Sequence, residues 1–247
     1  MRRNHWCDSS YGCFLLLLTG CGPQPVDPSN LVNAVRTNEF LPIDPIPSHE
    51  ITFVDPATGG AVTRAWSTLA PDRILQLLPN QRAQITISRV DASGELKYAT
   101  AGLATETGSY RVVMDYSQFT TDGLMDYATG MDLGTGRVGV GLRIKVEIVT
   151  TKSNLDLGSL IAIGVAARMG YVRGTLDIQV MGMNSPDITM LFPTPSQIDE
   201  TSIQRALEAM AAIKAKVADA NTTLSPQIIA WRPRDTTALQ AAWLRLQ

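Results

Sequence analysis

The sequence predicts an α+β fold: a mixed sheet with a long amphipathic strand, one crossover helix, and C-terminal helices packed on one face. Three observations carry this. Between Arg137 and Thr151, Val138, Val140, Leu142, Ile144, Val146 and Ile148 take one face without interruption, while Gly139, Gly141, Arg143, Lys145 and Glu147 take the other. Six matches at period two describe a strand with one dry and one wet face. From Asn154 to Gly170 the period changes: Leu157, Leu160, Ile161, Ile163, Val165 and Met169 are apolar nearly all round, as in a helix buried on most sides. Finally, Ile203, Ala206, Leu207, Met210, Ile213 and Val217 form a stripe at helical spacing.

The remaining elements follow in order. Seven of the 14 prolines fall between Pro23 and Pro56. Gly22 to Pro28 reads as an extended tether, Ser29 to Phe40 as a short helix, and Pro42, Pro45 and Pro47 forbid regular structure after it. Ile51 to Val54 reads as a strand that turns through Asp55-Pro56 and Gly59-Gly60 to pair with Ala61 to Trp66. Pro71 to Leu78 reads as a helix with proline in its first turn. Asn80 to Ser185 holds no proline and forms the centre of the fold. There Ile85 and Ile87 begin a hairpin that turns at Asp91 to Gly94 and returns over Leu96 to Ala101. Tyr110, Val112, Met114 and Tyr116 alternate in a further strand.

The strand at 137–151, the helix after it and the alternation of Leu176, Ile178 and Val180 read as a crossover unit, right-handed if the strands are parallel. Because the helix follows it directly, the long strand has no partner of equal quality beside it in sequence. Gly170 suits a helix end. Ser196 and Asp199 have the spacing of a capping box, opening a helix that runs to about Asp219. Leu224 to Trp231 gives a short strand, and Asp235 or Thr236 starts a terminal helix with Leu239, Trp243 and Leu246 on one side.

Ahead of the tether lie Arg2 and Arg3, then the apolar run Phe14 to Leu18, then Thr19-Gly20-Cys21. A basic start, a short apolar core and a small-residue ending have the order of a secretory signal, too short to span a membrane. Leu18-Thr19-Gly20-Cys21 resembles the lipobox of bacterial lipoproteins. The resemblance implies that residues 1–20 are a signal peptide, that Cys21 receives a diacylglycerol and that 21–49 are a lipidated proline-rich tether. One α+β domain then fills 50–247. Gly22 stands where an aspartate would favour inner-membrane retention, so the resemblance favours the outer membrane, with the domain in the periplasm or at the surface.

Composition narrows the chemistry. The 247 residues carry 21 basic and 23 acidic side chains, and removing residues 1–20 leaves a small net negative charge without any basic run. Nucleic acid is therefore not an expected partner. Cysteines stand only at 7, 13 and 21, and the two histidines are His5, in the leader, and His49, in a proline-flanked linker. Zinc sites, Ser-His-Asp triads and Cys-His pairs all need more than this. No cofactor, metal or catalytic residue is expected.

Two motifs have bland readings. Gly134-Thr135-Gly136-Arg137-Val138-Gly139 matches G-x-G-x-x-G, but that fingerprint needs a strand before it and a helix after it, and here a strand follows. Asp115, Asp122, Asp126 and Asp132 gather acid around a glycine-containing loop without the alternating ligands a calcium loop requires. The expected function is thus that of a lipid-anchored envelope protein with a non-catalytic binding or assembly role, engaging the membrane through its lipid and other envelope proteins or copies of itself. One alternative is an oligomeric secretion or pore component using the 137–151 strand, since spanning strands alternate in this way. Another is a carboxylate-dependent hydrolase of the cell wall or its glycans.

Overall fold

In a computed structural model, residues 40–92, 96–99, 103–104, 106–126, 130–184 and 196–234 are described. The leader, Cys21, the tether through residue 39, the short helix expected from Ser29 and the terminal helix expected from Asp235 lie outside them.

The described chain mixes helices with a dominant sheet. Its strands are β1 (Leu41–Pro47), β2 (Glu50–Val54), β3 (Ala61–Ala65), β4 (Asn80–Val90), β5 (Leu96–Ala99), β6 (Leu103–Ala104), β7 (Gly108–Asp126), β8 (Met131–Thr150), β9 (Leu155–Asp156), β10 (Val172–Met181), β11 (Met183–Asn184), β12 (Ser196–Gln197), β13 (Thr223–Leu224) and β14 (Gln227–Pro233). Helix α1 spans Pro71–Leu77, α2 Leu160–Arg168 and α3 Glu200–Lys216. The main sheet has eight strands in the order β1-β14-β8-β7-β4-β5, with β10 also beside β8 and β12 beside β10.

The sheet is built on the β7–β8 hairpin, whose arms are 19 and 20 residues long and stay paired from Gly108–Thr150 to Asp126–Met131. The long strand therefore begins before Arg137, and its equal partner is the strand preceding it. The acidic stretch 115–132 is strand at both ends rather than loop: Asp115, Asp122 and Asp126 belong to β7 and Asp132 to β8. On its other side β8 is shared, with β14 along residues 134–139 and β10 along 141–150.

No crossover exists here. Strands β8 and β10 are antiparallel, so α2 is an excursion between two hydrogen-bonded neighbours. It is also shorter than the apolar run suggests, because residues 155–156 pair with β6 before Ser159 caps Ala162 N–H at 3.1 Å. Gly170 leaves the helix at φ 73°, the left-handed turn that glycine takes without cost. The cap of α3 is Asp199, whose carboxylate accepts from Ser202 N–H at 2.7 Å while the Ser202 hydroxyl takes Asp199 N–H; Ser196 sits back in β12.

The residues expected to form an irregular linker after Phe40 form β1, at the sheet's edge against β14. Prolines lack the N–H that a central strand must donate, so an edge is where such a segment can pair. The register breaks between Pro42 and Ile46, and the intervening residues bulge.

One face of the sheet carries the main core. Val138, Val140, Leu142, Ile144, Val146 and Ile148 of β8 pack in one cluster with Leu160 and Ile163 of α2, Ile203 and Ile213 of α3, Ile74 of α1, and Trp66. The opposite face is wet only in part. Glu147 and Val149 are exposed, but Gly139, Gly141 and Arg143 are buried, and a second small cluster of Phe119, Met181 and Ile229 lies on that side. Phe119 is directly opposite Gly139 and Met181 opposite Gly141, so the two glycines leave room for large neighbours. At Gly139 a Cβ would meet Gln118 O at 2.3 Å and Phe119 Cβ at 2.7 Å, whereas at Gly123, in the same hairpin, it would meet nothing within 4 Å. Gly139→Ala should cost about 1–3 kcal/mol in urea denaturation, and Gly123→Ala should stay within about 0.5 kcal/mol.

Candidate functional site

The second face of the sheet holds a ladder of charged side chains, brought together by register. Strand residues two apart share a face, so Arg82 and Gln84 of β4, Asp115 of β7, and Arg137, Arg143 and Lys145 of β8 all project to this side. At its centre is Arg143, with a side chain only 2% exposed. Its Nε and Nη2 donate to the two carboxylate oxygens of Asp115, each at 2.7 Å, in the bidentate fork that guanidinium geometry favours. Asp115 is its direct cross-strand partner, and four residues along Arg111 pairs with its own cross-strand partner Glu147, both donors meeting one carboxylate oxygen. The same Arg143 Nη2 donates to Ile229 O at 2.9 Å, and Nη1 donates to Ile43 O.

Those two carbonyls come from irregular backbone. Ile229 is the residue skipped where the β14 register shifts between Ile228 and Ala230, and Ile43 lies within the β1 bulge. Asp44, the next residue of that bulge, takes a hydrogen bond from Lys145 Nζ at 2.7 Å. Partial burial works to raise the Asp44 carboxyl, but the Lys145 hydrogen bond and the charges of Lys145, Arg143 and Arg111 outweigh it and hold it below the usual carboxylate value. One guanidinium thus ties together four strands.

Beside this satisfied centre lies a cationic cluster that is not satisfied. Arg137 is 8% exposed. Its Nη1 donates to Gln84 Oε1 at 2.7 Å, and its guanidinium lies 4.2 Å from the ring centre of Phe40 and 5.0 Å from that of Phe119. Its Nε is buried with no acceptor among the described residues. Arg232 stands 4.9 Å from the same Phe40 ring and donates to the Thr135 hydroxyl at 3.3 Å. Arg82, exposed on β4, completes the group. Loss of water, then the charge of Arg82, depress the Arg137 pKa to about 10; Arg232 adds to this and Asp115 opposes it. Arg137 remains charged at neutral pH, and its aromatic neighbours supply cation–π contact without neutralising it. No carboxylate of the described residues forms an ion pair with Arg82, Arg137 or Arg232.

The residues singled out from sequence fall differently. The G-x-G-x-x-G residues 134–139 lie inside β8, their backbone engaged with β7 and β14, so they form no phosphate cradle. Of the four aspartates, Asp115, Asp122 and Asp132 have separate partners. Asp115 faces Arg143, Asp122 accepts from the adjacent Gly123 N–H at 2.8 Å, and Asp132 accepts from Gly134 N–H at 2.8 Å and pairs with Arg234 at 2.5 Å. Among the described residues no group of three or more metal-ligating side chains is present. His49 is exposed between β1 and β2. The lipid-attachment residue Cys21 lies outside the described residues.

What sequence reasoning missed was the convergence itself. Arg137 and Arg143 look like ordinary wet-face residues of an alternating strand, and Arg82, Arg232, Phe40 and Phe119 lie far from them in sequence. The one available signal was local: Arg143 stands two residues after Gly141, which itself follows Gly139, and glycines along one strand face leave space that something must fill.

Comparison with protein families, curated proteins and solved structures finds no match to this chain.

Removing one partner of the Arg143–Asp115 pair strands the other in a dry site. Arg143→Met and Asp115→Leu should each lower stability by about 3–5 kcal/mol in denaturant titrations. The double variant should lose clearly less than the sum, because the two changes remove one interaction together. Strict additivity would mean that the two side chains do not interact.

Proposed function

We propose that this protein is a lipid-anchored component of a bacterial cell envelope, held through Cys21, whose domain binds or assembles with other envelope proteins and performs no catalysis. The leader residues support the address, and they favour the outer membrane. The binding role rests on one observation: Arg137, a buried guanidinium whose Nε has no acceptor among the described residues, lies beside two phenylalanine rings and near Arg82 and Arg232, which pair with no described carboxylate. The chemistry such a surface recognises is an oxyanion, most simply an acidic side chain of a partner or of a second copy. Burial of part of the cluster makes that contact worth more than a pair in open water.

The binding reading is preferred to its two rivals on specific grounds. A pore strand would have to offer its apolar residues to lipid, yet Val138 to Ile148 pack against α2 and α3. A hydrolase of the carboxylate type needs one acid held protonated near neutrality. Among the described residues the carboxyls that shift, Asp44, Asp132 and Asp219, all shift downward, away from that requirement.

The test is the native mass of the lipidated protein extracted from membranes in mild detergent, beside Arg82→Glu/Arg232→Glu. The wild type should run as a discrete complex larger than the 26.7 kDa chain. The charge-reversed variant should run as a monomer with an unchanged circular dichroism spectrum. Monomers in both would overturn the binding role. Failure of Cys21 to incorporate labelled fatty acid would overturn the anchor.

A further inference from the structure

The apolar all-round character of α2 is not matched by all-round burial. Leu160, Ile163 and Ala166 face the core, and Gly164 sits against Ile203 of α3. The outer side is bare: Ile161 is 65% exposed, Val165 44% and Met169 61%. Spaced by four, these three residues form one stripe along the helix. Arg168 pairs with Glu200 at the start of α3 while Gly164 meets Ile203, so the two helices run antiparallel. That places Leu207, 39% exposed and one turn beyond Ile203, toward the Ile161 end of the stripe. A helix that is apolar on every side is stable when every side is covered, and here one side has no cover among the described residues.

The surroundings say what kind of cover fits. Arg168 is exposed at the last turn of the helix, and Lys152 projects over the Tyr171 ring at 4.5 Å in the turn beside it. Of the nearby acids, Glu200 is already paired with Arg168, and Asp156 caps the turn at Gly158. An apolar stripe flanked at one end by two long cationic side chains and a tyrosine matches the composition of a helix that lies in the plane of an anionic bilayer surface. The stripe is narrow. Four side chains fall well short of the roughly 800 Å² per partner that a stable protein interface covers.

We propose that α2 docks on the membrane surface, with Ile161, Val165 and Met169 entering the boundary between headgroups and acyl chains and Arg168 and Lys152 contacting lipid phosphates. The biological setting rests on the lipid anchor proposed above, but the contact itself does not. Cys21 lies nineteen residues before Phe40, a reach of at most about 65 Å. Phe40 adjoins the Gly136 end of β8 and α2 follows its Thr150 end, about 46 Å away at the rise of an extended strand. The anchor and the helix can therefore occupy one bilayer. The anchor would hold α2 at a high effective concentration near lipid, so a contact too weak to recruit the domain alone suffices to orient it. The arginine cluster lies on the other face of the sheet, left free for a partner.

The experiment uses the full chain with Cys7, Cys13 and Cys21 changed to serine, so that no lipid is attached, and a single new cysteine at Val165→Cys carrying an environment-sensitive dye. Vesicles of phosphatidylglycerol and phosphatidylethanolamine should shift the dye emission to the blue, and pure phosphatidylcholine should do so less. The same dye at Thr63→Cys, exposed on β3, should not respond. Adding Ile161→Ser and Met169→Ser to the Val165→Cys chain should weaken the response at least tenfold in lipid concentration. Both changes lie on the solvent side, and circular dichroism would check that the fold persists. No shift at position 165, or equal shifts at 165 and 63, would overturn the proposal. So would a blue shift that grows with protein concentration in the absence of lipid, which would assign the stripe to a second copy. A positive result with Cys21 absent would stand even if the anchor reading failed.

Discussion

Burying a guanidinium is among the costlier things a small sheet can do, and the architecture of this domain follows from how that cost is met. Arg143 is removed from water in the middle of the longest strand. It is tolerable there only because Asp115 stands directly opposite and two backbone carbonyls converge on it. Neither carbonyl would point there from regular strands. The bulge in β1 and the skipped residue in β14 supply them, and the prolines of β1 keep that segment at the sheet's edge, where bulging is cheap. Desolvating this ion pair is what turns the second face of the sheet from a wet surface into a partly closed one.

The closure has a consequence next door. With Asp115 committed to Arg143, no acid of the described residues is left to pair with Arg137, which is buried by the same β1 segment through Phe40. The cluster of Arg82, Arg137 and Arg232 is therefore a cationic surface by arrangement, in a chain whose overall charge is −2. Average charge predicts little about such a place, because strand register decides which charges meet. The two faces then divide the work: one buries aliphatic side chains under three helices, and the other presents positive charge beside aromatic rings.

Period two in residues 138–148 identified a central strand, and the helical stripe from Ile203 to Val217 identified α3, because in both cases one burial face is written into local spacing. The β4–β5 and β2–β3 hairpins were legible from their turns for the same reason. What was not legible depends on pairing at long range. That β7 matches β8 rung for rung could not be read from Tyr110 to Tyr116 alone, since residues 117–126 include Ser117, Thr120, Thr121 and Asp122 and lose the clean alternation. Three prolines in six residues, Pro42, Pro45 and Pro47, forbid a central strand but not one at an edge. The wet face of β8 was misjudged at Gly139, Gly141 and Arg143 because its cover comes from Phe119, Met181 and the β1 bulge, about 20 to 100 positions away. The candidate site was invisible for the same reason, since its five main side chains come from five strands or strand edges.

The central claim is that Arg143 is locked and dry. The most direct measurement is the exchange behaviour of its Nε–H in proton–nitrogen correlation spectra at neutral pH. The account predicts a resolved Nε–H resonance that exchanges with water far more slowly than that of an exposed arginine such as Arg82, and that is lost in Asp115→Ala. An Arg143 Nε–H that exchanges as fast as that of Arg82, or that is indifferent to Asp115, would contradict the account. It would mean that the second face of the sheet is open to water and held by something other than this pair.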